Sequence, residues 1–232
     1  MWDEQVKEFS ERYCCIRYDI RGLESSTVGD GQFTMEMFVD DLEKIIEVLK
    51  LEKPILCGLS MGGYISLRAV ERMGKKFRAL ILCDTKSVAD DNEGKLKRAA
   101  AIKQINLGKF DDFIEAFVLN CFGERFVKGN NTRFREVVER SKKNHPVGIR
   151  GCLLAMAGRT DTTASLSKIE IPTLLICGSE DKLSPHDVMK SMTDLIPNSK
   201  LITVEGAGHM TPIEKPDVVN ISIKDFLIDN KL

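Results

Sequence analysis

The feature that most constrains this chain is a short apolar run that ends in a Gly-x-Ser-x-Gly turn and leads directly into a helical pattern. The run is Pro54 to Leu59, the turn is Gly58 to Gly62, and the spacing after it predicts a helix over Met61 to Met73. We expect side chains at both glycine positions to collide across so sharp a turn, which would leave Ser60 at its tip. The segment predicts a strand and a helix with a candidate nucleophile between them, or a glycine-rich turn with an idle serine.

The rest of the chain alternates short β-type runs with longer amphipathic segments, which is typical of a parallel sheet covered by helices. The strands expected from these runs are Cys14 to Ile20, Pro54 to Leu59, Ala79 to Cys83, Thr173 to Cys177 and Lys200 to Val204. Helical spacing of apolar residues is found over Thr34 to Leu51, Met61 to Met73, Ser184 to Ile196 and Lys215 to Ile228. The sequence therefore predicts an α/β fold with a mostly parallel sheet.

The stretch from about Lys86 to Thr163 is almost entirely helical in pattern. It carries 15 Lys and Arg against 9 Asp and Glu up to Arg159, although the whole chain of 232 residues has a net charge of -1. We interpret residues 86–163 as a helical lid, inserted after the strand ending near Asp84 and between two parts of the core, residues 1–85 and 164–232. The positive charge indicates solvated helix faces or a lid suited to an acidic substrate. Phenylalanines at near-helical spacing form either the core of the lid or an apolar wall for a substrate: Phe110, Phe113, Phe117, Phe122, Phe126 and Phe134.

Candidate partners for the serine follow other expected strands. A serine hydroxyl is a poor nucleophile unless a base takes its proton, and a carboxylate must orient that base. Of the three histidines, His209 lies in a small-residue loop after the last strand, whereas His145 and His186 are expected at the surface. Asp181 follows the strand ending at Cys177, and Asp84 is a reserve candidate for the acid.

The turn also predicts part of an oxyanion site. The backbone N–H of Met61 and the positive end of its helix would point to the place where an ester oxygen becomes negative. The chain order Ser60, Asp181, His209 is nucleophile, acid, base, and that order is expected of an α/β-hydrolase sheet.

Several segments of the chain are similar to motifs of one family: Tyr18-Asp19-Ile20-Arg21-Gly22, Gly58 to Arg68, Leu82 to Thr85 and Ile171-Pro172-Thr173. The chain resembles the α/β-hydrolase fold family, and within it the 3-oxoadipate enol-lactonase-like and carboxylesterase-like branch. The resemblance implies a serine hydrolase of a small carboxylic ester or lactone, working through an acyl-enzyme. Ser60 would attack the carbonyl, His209 would move the proton and Asp181 would hold the imidazole. The resemblance implies no metal and no organic cofactor.

The sequence departs from the family in two places. Glu24 stands where the family turn usually has glycine, so we expect the loop to adjust locally. The family also has, ahead of a segment like Met1 to Arg12, a hairpin and a strand ending in a His-Gly loop that supplies the second oxyanion donor. That strand lies in the family sheet between those corresponding to Cys14 to Ile20 and Pro54 to Leu59. We expect the sheet to lack its N-terminal strands, so either Met1 is internal to a longer protein, or the two flanking strands pair directly, or the chain is only partly competent.

Composition and pattern argue against other classes of protein. The balanced charge lacks the basic excess of a nucleic-acid binder, and no apolar run approaches the roughly 20 residues of a membrane span. The N-terminus shows no secretory signal, so a cytoplasmic location is expected. The seven cysteines lack CxxC spacing and fit neither a disulfide framework nor a zinc site. Those in apolar runs are expected to be buried: Cys15, Cys57, Cys83 and Cys177.

Other functions stay open within the same fold. The same triad can serve a carbon–carbon hydrolase or a cofactor-free perhydrolase, and the fold can persist in a catalytically impaired or non-catalytic protein. A nicotinamide enzyme is disfavoured because no Gly-x-Gly-x-x-Gly follows a strand. We expect a small-molecule partner, with no nucleic acid and no membrane, and the sequence does not indicate an oligomeric state.

Overall fold

The centre of the protein is a four-stranded parallel sheet, seen in a computed structural model that describes residues 1–128 and 132–232. The strands are β1 (Ile55–Leu59), β2 (Ala79–Cys83), β3 (Thr173–Gly178) and β4 (Ser199–Val204), and they lie side by side in that order. Every residue of β2 and β3 is buried, as expected for strands covered on both faces. The bounds of β1 to β4 match four of the five strands predicted from the sequence, and these four predictions are confirmed.

Helices connect and flank these strands. Those of the flanking layers are α1 (Asp3–Phe9), α2 (Met35–Val48), α3 (Met61–Met73), α9 (His186–Leu195), α10 (Thr211–Glu214) and α11 (Pro216–Asp229). Thr34 caps α2, since its side-chain oxygen accepts the N–H of Met37 at 3.3 Å. None of the helices in the described ranges combines the length and the apolar character that crossing a membrane would need.

The sheet separates two hydrophobic cores because successive side chains of a strand point to opposite faces. Leu80 and Leu82 of β2 pack on one face with residues of α2, α3 and α9. Ile81 packs on the other face with residues of α11, such as Val219 and Phe226. This double cover holds the carboxyl ends of the four strands in fixed positions at one edge of the sheet.

Between β2 and β3 the chain forms the helical insertion, which we define as residues 92–157. Its helices are α4 (Asn92–Asn106), α5 (Phe110–Cys121), α6 (Glu124–Lys128), α7 (Thr132–Lys142) and α8 (Pro146–Ala157). Five of its six phenylalanines belong to one cluster with Ile114 and Val118, and the same cluster includes Ile213 of α10, so they form a core shared by the insertion and α10. The exception is Phe117, which is 44% exposed and stacks on Phe113.

The prediction of a strand over Cys14 to Ile20 is wrong. The segment has no regular secondary structure and pairs with no strand in the described part of the chain, and Ile16 and Tyr18 are 44% and 39% exposed. An apolar run becomes a strand only where a neighbour satisfies its N–H and C=O groups. Direct pairing of this segment with β1 is therefore not observed, and β1 is an edge strand among the described residues.

Two smaller expectations also fail. Cys57 in the edge strand is exposed and Cys15 is only half-buried, whereas Cys83 and Cys177 in the central strands are buried as predicted. Glu24 lies in the left-handed region, with a φ of 48°. The loop adjustment that we expected to keep its φ negative is therefore not found. Contacts from the helical insertion hold Glu24 there: Asn144 accepts its N–H at 2.9 Å, and Arg140 donates to its carboxylate at 2.8 Å.

Candidate active site

Ser60 lies on the sharp turn between β1 and α3. Its backbone has φ 51° and ψ -114°, a conformation that non-glycine residues rarely adopt. Two hydrogen bonds to the end of β2 hold it: the N–H of Ser60 donates to the carbonyl of Cys83 at 3.0 Å, and Thr85 Oγ1 donates to the carbonyl of Ser60 at 2.8 Å. The turn presents the serine at the N-terminus of α3.

The glycines of this turn have different roles from those predicted. A Cβ on Gly58 would lie 2.3 Å from the carbonyl oxygen of Gly62, so glycine is required there as expected. A Cβ on Gly62 would meet no atom of the described residues within 4 Å, so the predicted collision at this position is wrong. The second tight contact is at Gly63, where a Cβ would lie 2.3 Å from Thr85 Oγ1.

The predicted site residues lie at one edge of the sheet, because parallel strands bring their carboxyl ends together. Ser60 follows β1, Asp84 follows β2, Asp181 follows β3 and His209 follows β4. The other two histidines, His145 and His186, are exposed, as predicted.

His209 and Asp181 form a buried hydrogen-bonded pair. Nδ1 of His209 lies 2.8 Å from Oδ2 of Asp181, and the two residues are only 3% and 6% exposed. The other carboxylate oxygen, Oδ1, accepts the N–H groups of Leu183 at 2.8 Å and Ser184 at 3.0 Å. A carboxylate that is ionised only accepts, so this contact is made by the tautomer that carries its proton on Nδ1, and in that tautomer Nε2 is the ring nitrogen with a lone pair.

Asp84 makes a different set of contacts. Its side chain is completely buried, Oδ1 accepts the N–H of Gly178 at 2.9 Å, and Oδ2 accepts Thr211 N–H at 3.2 Å and Thr211 Oγ1 at 2.6 Å. Burial raises the pKa of Asp84 to about 7, against the opposing effects of His209 and the hydrogen bond from Thr211. Asp84 therefore joins the end of β3 to the start of α10, and the imidazole pairs with Asp181.

Two parts of the predicted machinery are not joined by a hydrogen bond. Among the described residues, no hydrogen bond joins Ser60 Oγ to the ring of His209. Such bonds are often long in unliganded enzymes and shorten when substrate binds.

Met61 is the first residue of α3, and its N–H is one of the groups that have no acceptor within the helix.

Sequence reasoning missed two residues around the site. Thr85 supports the turn. Glu214, buried five residues after His209, accepts backbone N–H groups of the helical insertion and of the histidine loop, which we define as residues 205–210. Glu214 stands in a charged, proline-containing stretch that is typical of a surface, so no local signal marked it. In the described ranges, no three His, Cys, Asp or Glu side chains are grouped so that they could hold a metal ion.

Comparison with known proteins assigns the class. The family model described as alpha/beta hydrolase fold matches residues 1–216. The chain belongs to the α/β-hydrolase fold family, and it is an enzyme of that family, since its relatives and structural neighbours include an enol-lactonase and an esterase.

The proteins to which this chain is similar have several different activities. A 3-oxoadipate enol-lactonase of Acinetobacter baylyi is 22% identical over 97% of this chain and 82% of its own length. A non-heme chloroperoxidase of Kitasatospora aureofaciens is 30% identical over 97% of this chain and 86% of its own. The structure of a thermophilic esterase from Thermogutta terrifontis superposes with a TM-score of 0.94 at 30% identity, over 99% of this chain and 85% of the esterase.

Proposed function

We propose that this chain is a serine hydrolase that cleaves a small carboxylic ester or lactone through an acyl-enzyme. The observation that carries the proposal is the buried pair of His209 and Asp181, 2.8 Å apart, at the same edge of the sheet as Ser60 on its sharp turn. A hydroxyl, a base with a free ring nitrogen and a carboxylate that orients the base are the three groups that acyl transfer needs.

The reaction follows from these positions. His209 Nε2 takes the proton of Ser60 as Oγ attacks the substrate carbonyl, and the same proton then passes to the leaving oxygen as the ester bond breaks. A lactone opens in this step and stays attached, because its leaving oxygen belongs to the same molecule. Water activated by His209 next attacks the acyl-enzyme, and the acid leaves as Ser60 recovers its proton. Asp181 stabilises the imidazolium formed in each step.

The developing oxyanion needs donors that are in place before the reaction. We propose the N–H of Met61 as one of them, because it lies at the first turn of α3, where the helix dipole adds positive charge.

We propose residues 86–163 as the lid that covers the substrate, between the core parts 1–85 and 164–232. No metal or organic cofactor has a role in this scheme.

Fluorophosphonate labelling tests the proposal directly, because the reagent reacts with an activated serine and needs no knowledge of the substrate. We expect stoichiometric labelling of the wild-type chain at Ser60, located by mass spectrometry, and none in Ser60→Ala. The matched control is Ser66→Ala on the same helix, where the lost hydroxyl only donates to the carbonyl of Gly62 at 2.7 Å. A folded wild-type chain that does not label would refute the proposal and favour the non-catalytic alternative.

A further inference from the structure

The three successive backbone N–H groups around His209 are all hydrogen-bonded, one directly to the helical insertion and two to Glu214 of α10. Gly208 N–H donates to Oε1 of Glu214 at 2.9 Å, and Met210 N–H donates to the same oxygen at 3.3 Å. Between them, the N–H of His209 donates to the carbonyl of Cys121, the last residue of α5, at 2.8 Å. The histidine loop is therefore docked on the turn that joins α5 to α6.

The carboxylate of Glu214 completes this contact from the other side. Its second oxygen, Oε2, accepts the N–H of Gly123 in the turn between α5 and α6 at 2.9 Å. One side chain at the end of α10 thus accepts three backbone N–H groups, two from the histidine loop and one from the insertion. Glu214 is 8% exposed, and burial raises the pKa of its carboxyl, while the three N–H groups oppose that rise.

The two backbone segments approach so closely that only glycine fits at position 208. A Cβ on Gly208 would lie 2.5 Å from the N atom of Gly123 and 3.0 Å from the carbonyl oxygen of Cys121. A Cβ on Gly123 would be crowded less severely, at 2.9 Å from Oε2 of Glu180, 3.1 Å from Oε2 of Glu214 and 3.2 Å from the N atom of Gly208. A displacement of the turn after α5 therefore moves the backbone of His209 or breaks these hydrogen bonds.

We propose that Glu214 is a positioning residue that ties the helical insertion to the histidine loop, so that His209 is correctly placed only while the insertion is seated on the core. This inference rests on the proposed function, because it gives a catalytic consequence to a contact with the loop of the proposed base. Glu214 does not touch the reacting atoms. It acts through the backbone of residues 208–210, on the side of the loop that faces Gly123.

The chemistry explains why a carboxylate stands at this position. All three partners are N–H donors, and an ionised carboxylate only accepts. A glutamine has the same shape but would turn its NH2 group toward the donors on one side, which leaves a buried N–H unsatisfied. Glu214→Gln therefore breaks one side of the contact with almost no change in volume.

The test combines hydrogen exchange with kinetics on Glu214→Gln and Glu214→Asp. The matched control is Glu115→Gln, since Glu115 is an exposed glutamate of the same insertion that pairs with Lys142. In Glu214→Gln we expect amide exchange to accelerate at least tenfold on the side that the NH2 group faces, which is Gly123 on one side or Gly208 and Met210 on the other. With an ester substrate we expect kcat to fall about tenfold or more, equivalent to about 1.4 kcal/mol, and KM to stay within about twofold. Glu214→Asp keeps the charge and should retain more of kcat, and it serves if the glutamine variant does not fold.

The outcomes separate the two proposals. Amide exchange rates that stay unchanged in both Glu214 variants would refute the proposed role of Glu214. A loss of kcat in Glu115→Gln equal to that in Glu214→Gln would also refute it. A rise in KM at constant kcat shows that the insertion acts on substrate binding, which refutes a positioning role. If the wild-type chain neither labels nor turns over ester, the proposed function fails, whereas exchange at the three amides still decides whether Glu214 joins the insertion to the loop.

Discussion

Asp84 gives the sharpest prediction about stability, because its carboxyl is completely buried and the burial raises its pKa to about 7. The perturbation is Asp84→Asn. The amide has the shape of the protonated acid and can still accept the N–H of Gly178 and donate to Thr211 Oγ1, but it cannot ionise. It also loses the hydrogen bond from Thr211 N–H, and this loss is the same at every pH. Comparing the two proteins across pH isolates the cost of the charge.

The sign and size follow from linkage between protonation and folding. The pKa of Asp84 rises from an ordinary value of 3.8 to about 7 on folding, so the folded state binds more protons between these values. The contribution of this group to the free energy of unfolding is fully present below about pH 3.8 and is lost as pH rises to about 7. Three pH units at about 1.4 kcal/mol each give about 4 kcal/mol over the whole window.

The assay is urea unfolding of both proteins at intervals between pH 4.5 and 8. We expect the free energy of unfolding of wild type, relative to Asp84→Asn, to fall with a slope that approaches 1.4 kcal/mol per pH unit near the middle of the range. The control is Ser222→Ala on α11, which removes a hydroxyl that donates to the carbonyl of Val218 at 2.8 Å and removes no titratable group, so its difference from wild type should not vary with pH. A constant difference between wild type and Asp84→Asn would refute the reasoning, because it would show that Asp84 ionises as easily in the folded protein as in the unfolded chain.

Two further predictions concern the acid and the turn. Asp181→Asn should reduce kcat by about 10⁴-fold, since the imidazole loses its orienting carboxylate, whereas Asp84→Asn should reduce kcat less than tenfold. Ester kinetics at pH 7 measure both effects. A larger loss of kcat in Asp84→Asn than in Asp181→Asn would assign the role of the acid to Asp84. Gly58→Ala should destabilise the protein by about 3 kcal/mol or more, because its Cβ would lie 2.3 Å from the carbonyl oxygen of Gly62. Gly62→Ala, with free space around its Cβ, should leave the urea midpoint nearly unchanged, and equal midpoints for the two variants would contradict the geometry of the turn.

The sequence predicted the parts of the fold that are decided locally. β2 and β3 are apolar at almost every position because both of their faces are covered, and such runs are recognisable without any knowledge of their neighbours. In Cys14 to Ile20 apolar residues alternate with Arg17 and Asp19, which is the pattern of a half-buried strand, but a strand also needs a pairing partner. That partner is a property of the whole fold, and this prediction therefore failed.

The same distinction applies to the site. Ser60 was predictable from its own turn, and His209 and Asp181 from their loops after strands, because each position carries a short-range pattern. Glu214 was not predictable, since its partner Gly123 lies 91 residues away and the stretch around it is typical of a surface. The collision expected at Gly62 was wrong because the direction of a Cβ depends on backbone angles that the motif alone does not specify.

The backbone conformation at Ser60 also restricts which amino acid evolution could place there. Threonine carries the same hydroxyl group and could in principle perform the same attack. Its branched Cβ, however, is a severe outlier at a φ of 51°, and the bonds to Cys83 and Thr85 leave the turn no freedom to relax. Replacing Ser60 by threonine adds a single methyl group and keeps the hydroxyl, but the backbone conformation excludes it on steric grounds. The backbone conformation, more than the reactivity of the hydroxyl, therefore selects serine over threonine at this position.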